Sequence, residues 1–204
     1  MKLSPDGASY FYAIPVRGWR STITRPLTWL RAPSTGGAPQ AIFPGPVAGI
    51  IDCARAPSRT CVYGEGKASQ LVLLLFDAGK GLGTELTRVN ADRWYRFGLS
   101  PDGTRVALAL RDRLRIISLD SKRADDVFVT GWTGFDSVSW AAEGEAFYLT
   151  SQPPGRTVLL HVDLHGQAQP LFEMPEVVES VVVPRRTANG WPWATGAHRT
   201  TLDG

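Results

Sequence analysis

Two cysteines, three histidines and a few glycine-rich stretches are where this chain could carry chemistry. His161, Asp163 and His165 alternate along a strand-like run, a spacing that could offer three metal ligands on one face. The same alternation describes the polar side of an ordinary strand, and no other carboxylate or histidine is placed by sequence to complete a site. His198 stands apart, near the end. No metal is assigned. Cys53 and Cys61 sit symmetrically about Pro57, so a hairpin would set them across from each other, within disulfide reach if their Cβ atoms share a side. In an oxidising compartment the pair would bridge, and in a reducing one it would be two buried thiols.

Gly79-Lys80-Gly81-Leu82-Gly83 comes after an apolar run, as phosphate-cradling loops do. It lacks the sixth-position glycine of the dinucleotide fingerprint and leads into a strand pattern instead of a helix. Gly64-Glu65-Gly66-Lys67 has Ala68 where a P-loop needs Ser or Thr. Both read as hairpin loops, and no cofactor is implied. No Gly-x-Ser-x-Gly elbow exposes a nucleophile. Trp29, Trp94, Trp132 and Trp140 read as packing residues, not as a ligand platform. The expectation is a non-catalytic chain.

The elements that would position these residues repeat. Leu99-Ser100-Pro101-Asp102-Gly103 stands between two apolar runs of strand length, Arg96 to Leu99 and Thr104 to Leu110. Ser can bond back to the chain, Pro presets φ, Asp suits the third position and Gly suits the last, so the pair should form an antiparallel hairpin. The same turn occurs at Ser4, Pro5, Asp6 and Gly7, with only Met1 and Lys2 ahead of Leu3 to supply its first strand, so the chain is expected to open inside a unit. Degenerate versions occur around Pro57 and at Ala141-Ala142-Glu143-Gly144. Each turn is succeeded by further strand-like runs: Leu27 to Arg31 and Gln40 to Phe43, Gln70 to Asp77 and Glu85 to Val89, Arg113 to Leu119 and Asp126 to Thr130, Thr157 to Leu164 and Gln169 to Glu173. Gly103 to Gly144 is 41 residues, and the 96 from Gly7 to Gly103 leave room for two units of 48.

A period in the forties with four short strands per unit is the signature of propeller blades, none of which buries its own faces alone. The fold class is therefore all-β: an incomplete β-propeller of about four blades, four antiparallel strands in each. The blades fall at about 1–46, 47–91, 92–134 and 135–176, with the start of a fifth at 177–184. A β-sandwich with coincidental turns is the competing reading, but order, turn and spacing recur together. The composition agrees, with 43% apolar residues, 20% charged residues, 21 Gly and 15 Pro.

Of the formal charge of +3, the tail with Arg185, Arg186 and Arg199 against Asp203 holds +2. That distribution argues against a nucleic-acid partner, which would need a basic face. The longest apolar run, Leu71 to Phe76, has strand length and not the ~20 residues of a membrane span. No hydrophobic leader of secretory type opens the chain.

The Ser-Pro-Asp-Gly turns, the Gly36-Gly37 turn and the period resemble the WD40-like or PD40 repeats of TolB-type propellers. They are most similar to the repeat regions C-terminal to bacterial, particularly acidobacterial, serine/threonine kinases and winged-helix regulators. The resemblance covers residues 1 to about 184. It implies a protein or small ligand bound at the blade-end loops and further blades in a larger, six-bladed propeller. It also implies a periplasmic or extracytoplasmic location if the parent is a membrane-anchored sensor. Ser180-Val181-Val182-Val183-Pro184 repeats Ser137 to Ala141, but Arg185 to Trp193 breaks the pattern where a fifth turn is due. Read two bases on with synonymous codons free, this stretch can encode an Asp-Gly turn and an apolar strand. Residues 185–204 are thus expected to be a frameshifted remnant, the alternative being an irregular Arg/Trp/Pro tail. The rival functions are the accessory propeller of a prolyl-oligopeptidase-like or dipeptidyl-peptidase-IV-like serine peptidase, and a decayed fragment.

Overall fold

A computed structural model describes residues 1–16, 26–46, 49–67, 69–77, 80–90 and 96–175. Trp94, Ala68, Gly79, His198, the proposed start of a fifth blade and the tail lie outside these. The described residues form four sheets, each a four-stranded antiparallel meander taken up in chain order. The first blade comprises β1 (Lys2–Leu3), β2 (Ser9–Pro15), β3 (Leu27–Pro33) and β4 (Gln40–Gly45). The second comprises β5 (Ile50–Cys53), β6 (Cys61–Lys67), β7 (Gln70–Asp77) and β8 (Gly81–Asn90). The third comprises β9 (Phe97–Leu99), β10 (Arg105–Ala109), β11 (Leu114–Ser118) and β12 (Ala124–Val127), and the fourth β13 (Phe135–Trp140), β14 (Ala146–Ser151), β15 (Thr157–Asp163) and β16 (Ala168–Met174). The first strands β1, β5, β9 and β13 adjoin in a row, so the sheets pack face to face around an inner edge, an incomplete four-bladed propeller.

Strands covered on both sides lose strict alternation, and the third blade shows how the two sides differ. On β10, Val106 and Leu108 face the second blade and meet Val62, Leu71 and Leu73. Ala107 and Ala109 face the fourth, where Trp140 and Phe147 fill the space that alanine leaves. Large meets small across the seam between the third and fourth blades, as close packing requires. The seam between the first and second blades is aromatic, with Phe11, Trp29 and Phe43 against Tyr63 and Phe76.

Five details differ from the sequence reading. Met1 and Lys2 are too few to promise a first strand, yet Lys2–Leu3 pairs with Tyr10 and Phe11. Gly64 to Lys67 is not a loop but the end of β6, where a Cβ on Gly64 would run into the Phe97 ring of the next blade. Gly81 and Gly83 likewise lie within β8. The outer strand of the third blade ends at Val127, leaving Phe128 65% exposed, because Asp126 is drawn into the sheet by Arg115 opposite it. β15 ends at Asp163, so His165 lies in a turn. No helix among the described residues is long and apolar enough to cross a membrane.

Candidate functional site

In a meander the turns after the first and third strands come out at one end of the sheet and the remaining connections at the other. The first-turn rim gathers Ser4 to Gly7, residues 54–60, Ser100 to Gly103 and Ala141 to Gly144 at one end of successive blades. In the first and third blades the turn is locked by the same bonds. The Ser4 hydroxyl donates to Asp6 Oδ1 (2.6 Å) and accepts the Ser9 N–H (2.9 Å), while Asp6 Oδ1 accepts the Ala8 N–H (3.0 Å). The Ser100 hydroxyl donates to Asp102 Oδ1 and accepts the Arg105 N–H (2.9 Å), while Asp102 Oδ1 accepts the Thr104 N–H (3.0 Å). Pro5 and Pro101 hold the second position, and Gly7 and Gly103 close each turn at φ +73° and +76°, which an L side chain rarely adopts. Ser100 is fully buried.

These bonds set the charge state of the aspartates. At Asp102 burial acts to raise the pKa, but the Ser100 hydroxyl, the Thr104 N–H and hydroxyl and nearby Arg105 together outweigh it and hold the carboxyl below its usual range. At Asp6 the Ser4 hydroxyl leads, with the Ala8 N–H, and the shift is in the same direction.

The second and fourth blades close this turn differently. Cys53 and Cys61, opposite each other in the β5–β6 register, are joined by a disulfide beneath residues 54–60, with Ala56-Pro57 cis. In the fourth blade the Gly144 N–H still bonds Ala141 O (3.1 Å) and Gly144 sits at φ +75°, but Ala141 has no hydroxyl to bring to Glu143. Neighbouring turns touch. The Arg55 N–H donates to Pro101 O (2.9 Å), and Arg105 Nη2 donates to Gly144 O (3.0 Å) while its guanidinium lies 4.7 Å from the Trp140 ring centroid.

Behind the rim, one buried carboxylate ties three blades. Asp52 on β5 pairs with Lys2 Nζ of the first blade (2.8 Å), accepts the Leu99 N–H of the third (2.9 Å) and the N–H of Cys53 (3.0 Å). Sequence reasoning passes over it; its signal is a charge inside the apolar run Ile50-Ile51-Asp52-Cys53. The Trp140 indole N–H donates to Gly98 O (2.9 Å), fastening the fourth blade to the third. Trp29 is buried in the aromatic seam, and Trp132 packs against the core between the third and fourth blades.

The histidine set is not brought together as ligands. His161 meets the Tyr148 ring edge-on at 5.5 Å, and Asp163 Oδ1 accepts the N–H groups of His165 and Gln167 in the turn (both 2.9 Å). The Gln167 N–H and its neighbours hold Asp163 below its usual pKa. Among the described residues no three His, Cys, Asp or Glu side chains converge as a metal site. In the first seam, burial and then Glu65 push the Tyr63 phenol above its usual range.

No family model matches the chain, and no curated protein matches it. Solved structures do. TolB from Acinetobacter baumannii superposes with a TM-score of 0.64 at 16% identity, over 82% of this chain and 42% of that one. A protein assigned as TolB from Agrobacterium tumefaciens gives 0.64 at 16%, over 84% and 64%. Puromycin hydrolase gives 0.57 at 18%, over 83% and 27%. The chain therefore spans less than two thirds of the length of each. At these identities the likeness is one of fold, a β-propeller that TolB and puromycin hydrolase share over these lengths.

Proposed function

We propose that the chain is a non-catalytic binding module, a propeller segment of a sensor or signalling protein, with a protein or small ligand engaged at its blade-end loops. The observation that carries this is the employment of its polar side chains. Ser4, Asp6, Ser100, Asp102 and Asp52 hold backbone N–H groups of the frame and of the neighbouring blade. Such a frame keeps loops rigidly spaced, which is what recognition needs from a scaffold. The likeness to TolB-type propellers supports the same reading. On it, the blades run as about 1–46, 47–91, 92–134 and 135–176, a fifth begins at 177, and residues 185–204 are a frameshifted remnant.

A second reading has a specific support: puromycin hydrolase carries a similar fold over 27% of its chain. On that reading the propeller is accessory to a hydrolase domain. Sequencing the locus on both sides decides between them. An upstream kinase or winged-helix frame, with a fifth turn restored by one indel, is the expected result. A downstream frame with a Gly-x-Ser-x-Gly elbow would replace the sensor reading by the hydrolase one, and stop codons flanking a confirmed frame would leave a free-standing protein whose ring a partner must complete.

A further inference from the structure

Between the outer strands of the second and third blades lies a cleft of about 320 Å³. Its floor is apolar, made by the buried Val89 and Ile117. Its walls are hydrogen-bond donors: Arg88, Asn90 and Thr87 on β8, Arg115 on β11, and Lys122 from the β11–β12 turn. No carboxylate lines it.

The two guanidiniums are pinned. Arg88 gives Nε and Nη2 to Glu85 (2.6 and 2.7 Å), and Arg115 gives Nε and Nη2 to Asp126 (2.7 and 2.8 Å). Such side-on pairs fix the planar fork and leave its Nη1 edge to meet an anion. Asn90 accepts from Gln70 at Oδ1 (3.1 Å), which leaves its amide N–H groups as donors. Lys122 donates to Leu86 O across the seam and has no carboxylate partner among the described residues. An ammonium has three protons, so two remain. Its backbone is left-handed (φ 59°), a position that Gly or Asn would fill with less strain. Backbone strain of this kind persists where the surroundings hold it, and ligand clamps are one such place.

We propose that this cleft binds a phosphate monoester, its doubly charged head between Lys122, Arg88 and Arg115 and its apolar portion on Val89 and Ile117. The volume lies at the small end of ligand pockets. Free metabolite and lipid headgroup share this chemistry, so two probes are used. n-Butyl phosphate, which has both a phosphate head and an apolar portion, is titrated calorimetrically at constant ionic strength against sodium chloride, and phosphatidylcholine vesicles with and without phosphatidic acid are used for co-sedimentation. Saturable binding of either probe is expected, the first answering for a soluble ligand and the second for a headgroup. Lys122→Ala should weaken it about tenfold or more, and Arg88→Gln, with folding checked by circular dichroism, should do likewise. Arg156→Ala, which removes a cation paired with Glu173 on the fourth blade, should leave it unchanged. Neither probe binding at about 10 mM headgroup, weaker than the weakest specific affinities, would overturn the proposal. Equal losses in Arg156→Ala and Lys122→Ala would also overturn it, showing an effect of charge alone.

Discussion

The third and fourth blades make the same first turn from different residues. In both, a glycine sits near φ +75° and its N–H returns to the carbonyl three residues back. In the third blade a buried Ser100 and Asp102 add a lock of side-chain bonds, while in the fourth Ala141 and Glu143 make none between them. The fourth draws its support from its neighbour: Arg105 donates to Gly144 O and lies over Trp140, whose indole N–H reaches back to Gly98. Glycine and backbone geometry thus shape the turn, and its anchorage is either internal or contributed by the next blade.

That contrast predicts an order of effects. Trp140→Ala should be the largest, about 3–5 kcal/mol, since it empties space against Phe147 and Ala107 as well as releasing Gly98 O and the Arg105 guanidinium. Urea unfolding measures it, and a loss below about 1 kcal/mol, the scale of a single hydrogen bond, would mean the fourth blade does not depend on the third. Next come two matched substitutions. Gly103→Ala and Gly144→Ala meet the same left-handed backbone, worth about 1–2 kcal/mol to an L residue. At Gly144 the nearest atom to a new Cβ would be Pro101 Cδ at 3.7 Å, ordinary contact, so that cost should stand alone. At Gly103 the Cβ would press on the Ser58 hydroxyl and on Thr60 at 2.9 Å in the turn above the disulfide, so Gly103→Ala should cost more by about 1 kcal/mol or more. Equal losses would show that residues 54–60 yield freely, and that the rim is not a packed row.

Blade number and strand order are legible in the sequence because the turn chemistry and the forty-residue period are local. The misreadings share one physical origin, which is that the deciding partner lies in another strand. Gly64 reads as a loop residue until the Phe97 ring claims its missing Cβ. The apolar run Val127 to Val129 draws the outer strand two residues late at its start and three at its end, because Arg115 and Asp126 decide where it pairs. Asp52 looks like an interruption in an apolar strand, and besides the adjacent Cys53 N–H its partners, Lys2 and Leu99, come from the neighbouring blades and are set by the closure of blades around an axis. The cleft of Arg88, Arg115 and Lys122 is equally invisible in the sequence, being assembled from two blades.

The smallest expected effect is the most selective for the lock itself. Asp102 is held below its usual pKa in the folded chain, where burial is outweighed by the Ser100 hydroxyl and the Thr104 and Arg105 groups. A carboxyl whose folded pKa is depressed stabilises the fold above its unfolded value, and that contribution fades as pH falls through 3.8 toward the folded value. Asp6, Asp126 and Asp163 are shifted in the same direction, so the wild-type curve alone does not isolate one turn. The difference between wild type and Asp102→Asn does. Unfolding midpoints should converge as pH is lowered from about 5 to about 3, because protonation removes from the wild type what the amide has already removed. The reverse exchange in the fourth blade, Ala141→Ser with Glu143→Asp, should install the same acid sensitivity where there was no side-chain lock. If it raises stability equally at both pH values, the serine hydroxyl acts through the backbone alone, and the carboxylate is incidental to holding this turn.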